Sequence, residues 1–227
     1  MPTVLHRKQL NQERSHLKLL RIDSSARRNS VSRQLTGRFV EAWQHEHPEG
    51  TVIERDLPAT TLPHITDEWV QAIHSDPASL TAEQRQALAI SDTLVDELAQ
   101  ADTIVIGAPM YNFAISSSLK AWIDQVVRAG KTVLFTASGP QGTLQGKKVY
   151  VITSRGGAYR PATPTERFDY QEPYLRHILA FIGLTDVTFI HAENQKPGPQ
   201  AEPAKAAAIA QIQQLAGEGK STTAAAQ

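Results

Sequence analysis

An α/β protein is predicted, with a doubly wound, five-stranded parallel sheet between two helical layers. Three observations predict it. Five short runs rich in apolar and β-branched residues alternate with helix-length segments along the 227 residues, the pattern of repeated βαβ units. The central run, residues 102–108 (DTIVIGA), is continuously apolar, as a strand covered on both faces must be. Chemically distinctive segments follow the first, third and fourth runs, and a strand order of 2-1-3-4-5 sets those three side by side at the topological switch point, where such sheets bind ligands.

The first strand is residues 17–23 (LKLLRID), which end in turn-forming residues. Ser30 is placed to cap a helix reaching about residue 47, with Val31, Leu35, Phe39 and Trp43 at four-residue spacing on one face. Residues 51–56 (TVIERD) form the second strand. A long connection follows, punctuated by Pro58, Pro63 and Pro77, with a short helix expected over 66–74. Thr81-Ala82-Glu83-Gln84 reads as a capping box opening a helix to about residue 99. After the third strand, a helix over 115–129 is stopped by Gly130, and residues 131–145 read as a protruding hairpin or lid. Residues 147–153 (KKVYVIT) are the fourth strand, 168–182 a helix stopped by Gly183, 186–191 the fifth strand, and 201–216 an Ala-rich helix. This divides the chain into an extension (1–16), one domain (17–217) and a tail (218–227).

Composition narrows the chemistry. Lys+Arg and Asp+Glu both number 23, so the formal net charge is zero, and no general electrostatic drive toward nucleic acid or anionic membrane exists. Cysteine is absent, which excludes thiolate nucleophiles, disulfides and Cys-ligated metal centres. Redox chemistry would need a bound cofactor. No run reaches the ~20 apolar residues of a membrane-spanning helix, and no secretory signal is visible at the N-terminus. A cytoplasmic protein is expected.

The three strand-end segments carry the functional signal. Ser25 and the Ser30-Val31-Ser32 run offer hydroxyls and a helix N-terminus to an anion, with Arg27 or Arg28 as counter-charge. Met110-Tyr111-Asn112-Phe113 offers aromatic faces and an amide. Ser154-Arg155-Gly156-Gly157 offers backbone that a flat ring can approach, the paired glycines permitting unusual dihedrals. Alone, each has a plain structural explanation: a capped helix, an aromatic pair closing the core, a loop turn. Together at three adjacent strand ends they suit a phosphorylated planar cofactor such as FMN. A noncovalent mononucleotide rather than FAD is expected, because no GxGxxG pattern is present.

At these residues the chain resembles the FMN-dependent NADH-azoreductases and NAD(P)H:quinone oxidoreductases of the flavodoxin-like superfamily. The matching stretches include DSSARRNSVSRQLT, APMYNFAISSSLKAWIDQVVRAGKT, GPQG, GKKVYVITSRGG and YLRHILAFIGLTDVTFI. The resemblance implies a flavodoxin-like fold and a homodimer with active sites at the subunit interface. It also implies ping-pong transfer of hydride from NADH or NADPH through FMN to a quinone or azo acceptor. It places phosphate contacts on Ser25, Ser30, Val31 and Ser32, and ring contacts on Met110, Tyr111, Asn112, Phe113, Ser154, Arg155, Gly156 and Gly157. It also puts an aromatic, here Phe135, in the hairpin; Phe113 and Phe135 would wall the acceptor pocket. No residue is assigned to acid–base catalysis. The extension before residue 17 and the stretch 159–166 depart from the family pattern.

His64, Asp67, Glu68, His74 and Asp76 crowd one segment but match no metal-ligand spacing, and a solvated loop and helix face explains them. No metal is expected. Two other functions stay open at this point: a phosphodiesterase-type hydrolase acting on acyl carrier protein, and a non-catalytic flavin-binding module.

Overall fold

The computed structural model describes residues 17–217; the expected extension and tail lie outside them. The sheet contains β1 (Lys18–Asp23), β2 (Thr51–Asp56), β3 (Thr103–Pro109), β6 (Lys148–Ser154) and β7 (Asp186–Ala192). Their order is β2-β1-β3-β6-β7, all parallel, the predicted 2-1-3-4-5. Between β3 and β6 the chain adds a small antiparallel hairpin, β4 (Val133–Thr136) and β5 (Gly139–Gly142).

Strand alternation sends consecutive side chains to opposite faces. On one face Leu19, Val105, Ile152 and Ile190 meet Leu35, Phe39 and Trp43 of α1 (Val31–Glu46) and Ile212 of α6 (Ala201–Gly217). On the other, Leu20, Ile104 and Ile106 meet Leu94 and Leu98 of α3 (Ala82–Gln100), Trp122 of α4 (Ser117–Val126) and Leu179 of α5 (Glu172–Phe181). Each fully buried aliphatic side chain of this kind contributes roughly 1.5–3 kcal/mol. The short α2 (Asp67–His74) packs Trp69 and Ala72 on Leu88 of α3. The caps of α1 and α3 fall where the sequence puts them, Ser30 and a complete Thr81/Gln84 capping box, and Thr66 caps α2.

Two predicted helices are shorter than expected. The segment 115–129 is helical only over Ser117–Val126. Beyond it, the Arg128 amide donates to Thr132 Oγ1 at 2.8 Å, and the Arg128 guanidinium is buried against Ser91 Oγ at 2.6 Å and Asp92 Oδ1 at 3.1 Å. A side-chain oxygen thus takes an amide that helix continuation would have used. The segment 168–182 becomes helical only at Glu172, after a 3-10 turn over Glu166–Phe168. Asp169 Oδ1 accepts the amides of Gln171 and Glu172 at 2.9 and 3.0 Å, and Pro173 sits in the first turn, where its missing N–H costs nothing.

The hairpin is seated on the end of α5. The Leu144 amide donates to Ile182 O at 3.0 Å, and Gly142 lies directly against Gly183. Its outer face leaves Phe135 72% exposed.

Candidate active site

At the carboxyl end of β1 the chain turns inward before it reaches α1. Ser24 Oγ donates to Gly107 O at 2.7 Å, and Ser24 O accepts from Ser116 Oγ and Ser118 Oγ, both at 3.0 Å. That fixes the first strand–helix turn to β3 and α4. Ser30 Oγ accepts the Arg33 amide at 3.3 Å and lies 3.3 Å from Ser32 Oγ. Ser25, Ser30 and Ser32 are all buried. The first-turn amides of Val31 and Ser32 have no intrahelical carbonyl to bond. This donor set, buried hydroxyls around a helix N-terminus, suits a phosphate monoester.

The arginines around this turn divide between surface and support. Arg27 and Arg28 are exposed. Arg33 instead braces the turn, donating from Nε and Nη2 to Ser25 O at 3.1 and 2.8 Å while pairing with Asp56. That pairing raises the Arg33 pKa and lowers that of Asp56. Beneath the turn, burial pushes the Asp23 carboxyl up, against the pull of a 2.7 Å bond from Thr36 Oγ1 and the Arg21 charge at 2.9 Å.

At the end of β3, Met110 donates its amide to Ser154 O at 2.9 Å, joining the second segment to the third. Tyr111 and Ala114 exchange backbone hydrogen bonds of 2.9 and 3.0 Å around a two-residue turn. Asn112 and Phe113 in that turn have φ of 49° and 69°. Asn tolerates the left-handed region; a bulky Phe there costs of order 1–3 kcal/mol, strain characteristic of functional sites. The Tyr111 hydroxyl shares a 3.2 Å hydrogen bond with Ser25 Oγ, linking the first and second segments. Phe113 is 46% exposed, with Phe168 and Tyr159 ring centroids 5.4 and 6.3 Å away.

At the end of β6 the paired glycines adopt ordinary backbone dihedrals. Neither Gly156 nor Gly157 has a positive φ. On the protein side they are only lightly crowded: a Cβ on Gly156 would press on the Lys196 side chain at 3.3 Å, and one on Gly157 on the Tyr159 hydroxyl at 3.3 Å. The Arg155 side chain turns into the protein, 1% exposed, and donates to Gln171 Oε1 at 3.1 Å while pairing with Asp169 at 3.0 Å. Only its backbone remains to face a ligand. The structure therefore joins Ser25, Tyr111, Met110 and Ser154 by direct bonds. Phe135 stands apart on the hairpin. Sequence reasoning missed Tyr159 and Phe168, which pack on Phe113, and the buried partners of Arg155. Isolated aromatics and acids in an irregular loop carry no periodic signal.

Next to this cluster Glu172 accepts from His191 Nε2 at 3.0 Å and from Arg176 Nε at 2.8 Å. These bonds, the His191 bond first, lower its pKa from 4.5 to about 2. A carboxylate depressed in the folded state adds stability that is complete above the unfolded value and is lost as pH falls through the folded one. Glu172→Gln should therefore lower the denaturation midpoint at pH 7. The gap to the parent should close between pH 4.5 and 2, as read from urea melts at pH 7, 4 and 3. A constant gap over that range would show that the Glu172 charge is not what matters.

Comparison with known proteins agrees with this geometry. The sequence profile described as the flavodoxin-like fold matches residues 17–216. A protein of Nostoc sp. named FMN-dependent NADH:quinone oxidoreductase is 52% identical over 185 residues, covering 81% of this chain and 89% of the relative. One from Trichormus variabilis, named FMN-dependent NADH:quinone oxidoreductase 1, is 46% identical over 209 residues, covering 91% and 99%. The crystal structure of azoreductase from Bacillus anthracis superposes with a TM-score of 0.81 at 28% identity, covering 88% of this chain and 98% of that one. With its 2-1-3-4-5 sheet and a profile match spanning every strand, the chain belongs to the flavodoxin-like fold family.

Proposed function

We propose that the protein is an FMN-dependent oxidoreductase that takes hydride from NADH and delivers it to quinones and azo compounds. One observation carries the reading. The carboxyl ends of β1, β3 and β6 bring a buried serine cradle, a strained aromatic turn and a compact glycine loop to one place, in a chain whose relatives bear that enzyme name. Neither a hydrolase nor a purely binding module would account for those names.

Within this reading each residue has a physical task. Ser25, Ser30 and Ser32, with the first-turn amides of α1, hold the phosphate. Met110, Tyr111, Asn112 and Phe113 flank the ring and supply backbone and side-chain dipoles at its polar edge. Ser154, Gly156 and Gly157, and the Arg155 backbone, close the opposite side. Bound FMN would supply the two-electron carrier, accepting hydride from the nicotinamide and releasing it to the acceptor. The protein's share is orientation and the exclusion of water. NADPH is the alternative donor. Residues 17–217 form the FMN-binding domain, and the cytoplasm is the proposed compartment. Phe113, Leu134, Phe135 and Tyr170 are exposed apolar or aromatic groups that a second copy would cover in the proposed homodimer. Among the described residues, no helix is long and apolar enough to cross a membrane.

The test is direct. The purified protein should be yellow, release FMN on heating, and bleach with NADH under anaerobic conditions, regaining colour when a quinone is added. A colourless protein that retains no added FMN would overturn the reading; flavin that NADH does not reduce would leave only a binding module. Phe135→Ala should leave flavin content unchanged and alter the ratio of kcat/KM values between bulky and small quinones severalfold, since an exposed hairpin aromatic acts on acceptor placement. An unchanged ratio across the panel would make Phe135 ordinary surface.

A further inference from the structure

We propose that Arg155 is a positioning residue: through a buried ionic hub it fixes the loop 158–171, and that loop holds Phe113 in the strained conformation that shapes the acceptor pocket. The proposal rests on the functional reading above for the word acceptor, and on contacts alone for the rest.

The guanidinium is surrounded by four acceptor side chains from two parts of the chain, residues 169–172 and Glu193. Nε donates to Gln171 Oε1 at 3.1 Å, and Nη1 lies 3.0 Å from Asp169 and 3.9 Å from Glu193. Nη2 has Glu172 at 3.7 Å and no hydrogen-bond partner of its own. A buried cation so placed is held by its carboxylates, and they by it; removing one side leaves the other uncompensated.

Both ends of the loop hang on this hub. At its start, Glu193 Oε1 accepts the Tyr159 amide at 2.7 Å and Oε2 accepts Arg160 Nε at 2.9 Å. At its end, Asp169 caps α5, and Gln171 Nε2 donates to Ala108 O of β3 at 3.0 Å. The Tyr170 amide then donates to Phe113 O at 3.1 Å, while the Phe168 and Tyr159 rings flank the Phe113 ring. A phenylalanine at φ 69° persists only where its surroundings over-determine it. Those surroundings are the Tyr111–Ala114 bridge, which closes the turn, and the loop, which is tied down by Arg155.

The test uses the protein as purified, with its flavin. Hydrogen exchange is followed at pH 7 in the parent, Arg155→Gln and Arg155→Lys, together with kcat/KM for a small and a bulky quinone. In Arg155→Gln, exchange should accelerate at least tenfold in both 158–171 and 111–114, with β1 unchanged. The bulky-to-small ratio should move at least fivefold. Lysine restores the charge without the fork, so it should recover part of both effects. Asp169→Asn removes one arm of the hub without burying an unpaired cation, and should shift both readouts in the same direction even where Arg155→Gln does not fold. Faster exchange in 158–171 with 111–114 and the quinone ratio at parent values would overturn the proposal. A protein without flavin or quinone reduction whose exchange at 111–114 still rises would overturn the functional reading and support the positioning.

Discussion

Aspartate at position 30 is expected to strip the protein of its flavin without unfolding it. Ser30 is the N-cap of α1 and sits 3.3 Å from Ser32 Oγ, at the centre of the proposed phosphate cradle. Aspartate caps helices as well as serine does and suits the positive end of the dipole, so the melting temperature should stay close to that of the parent. Its charge, however, would face a phosphate. Two unit charges ~4 Å apart repel by about 4 kcal/mol at the effective dielectric of a protein surface. With partial screening this leaves about 2–4 kcal/mol, a roughly 30- to 1,000-fold weaker Kd. Ser30→Ala separates the effects in the opposite sense: it loses the cap, about 1 kcal/mol of stability, and adds no repulsion. Titration of FMN into the three apoproteins, alongside thermal melts, reads both quantities. An aspartate variant that binds FMN as tightly as the parent would place the phosphate elsewhere.

The contrast between these two substitutions depends on features that local sequence reveals. A cap residue before an apolar face at four-residue spacing is a short-range pattern, and Ser30 and Thr81 both occupy their expected places. The strands were legible for the same reason: a continuously apolar run such as 103–108 has few alternatives to a buried parallel strand. The 2-1-3-4-5 sheet order came with the flavodoxin-like form of the doubly wound arrangement. What stayed hidden depends on partners remote in sequence. Arg155 reads as one member of a ring-contacting glycine segment, and only the fold reveals Asp169, Glu172 and Glu193 around it. The early end of α4 depends on Thr132, whose hydroxyl intercepts the Arg128 amide. The glycine pair 156–157 invited an argument from dihedrals, and neither residue has a positive φ.

Gly142 presents the same lesson in a stronger form, and replacing it with alanine is expected to unseat the hairpin. In the sequence it is the last residue of GPQG, a turn-like motif. In the fold it lies at the end of β5 where the hairpin crosses the end of α5, and a Cβ there would fall 2.0 Å from Gly183 N and 2.3 Å from Ile182 C. Both are backbone atoms, so no rotamer change relieves the clash. Gly183 is itself closely packed on the hairpin: its φ is 99°, and a Cβ there would lie 2.8 Å from Leu144 N. Overpacking of movable side chains costs about 1–3 kcal/mol; a clash between two backbones should exceed that. The relief available is for β4 and β5 to leave α5, breaking the Leu144–Ile182 hydrogen bond. The five-stranded sheet and the serine cradle lie outside this contact, so flavin content should persist. Trypsin should then cut the Gly142→Ala protein at Lys131 or Lys147 at least tenfold faster than the parent. Quinone turnover should fall further than in Phe135→Ala, which removes one ring and leaves the hairpin seated. If Gly142→Ala keeps both the parent's protease resistance and its turnover, the close approach of the two glycines does not hold the hairpin in place.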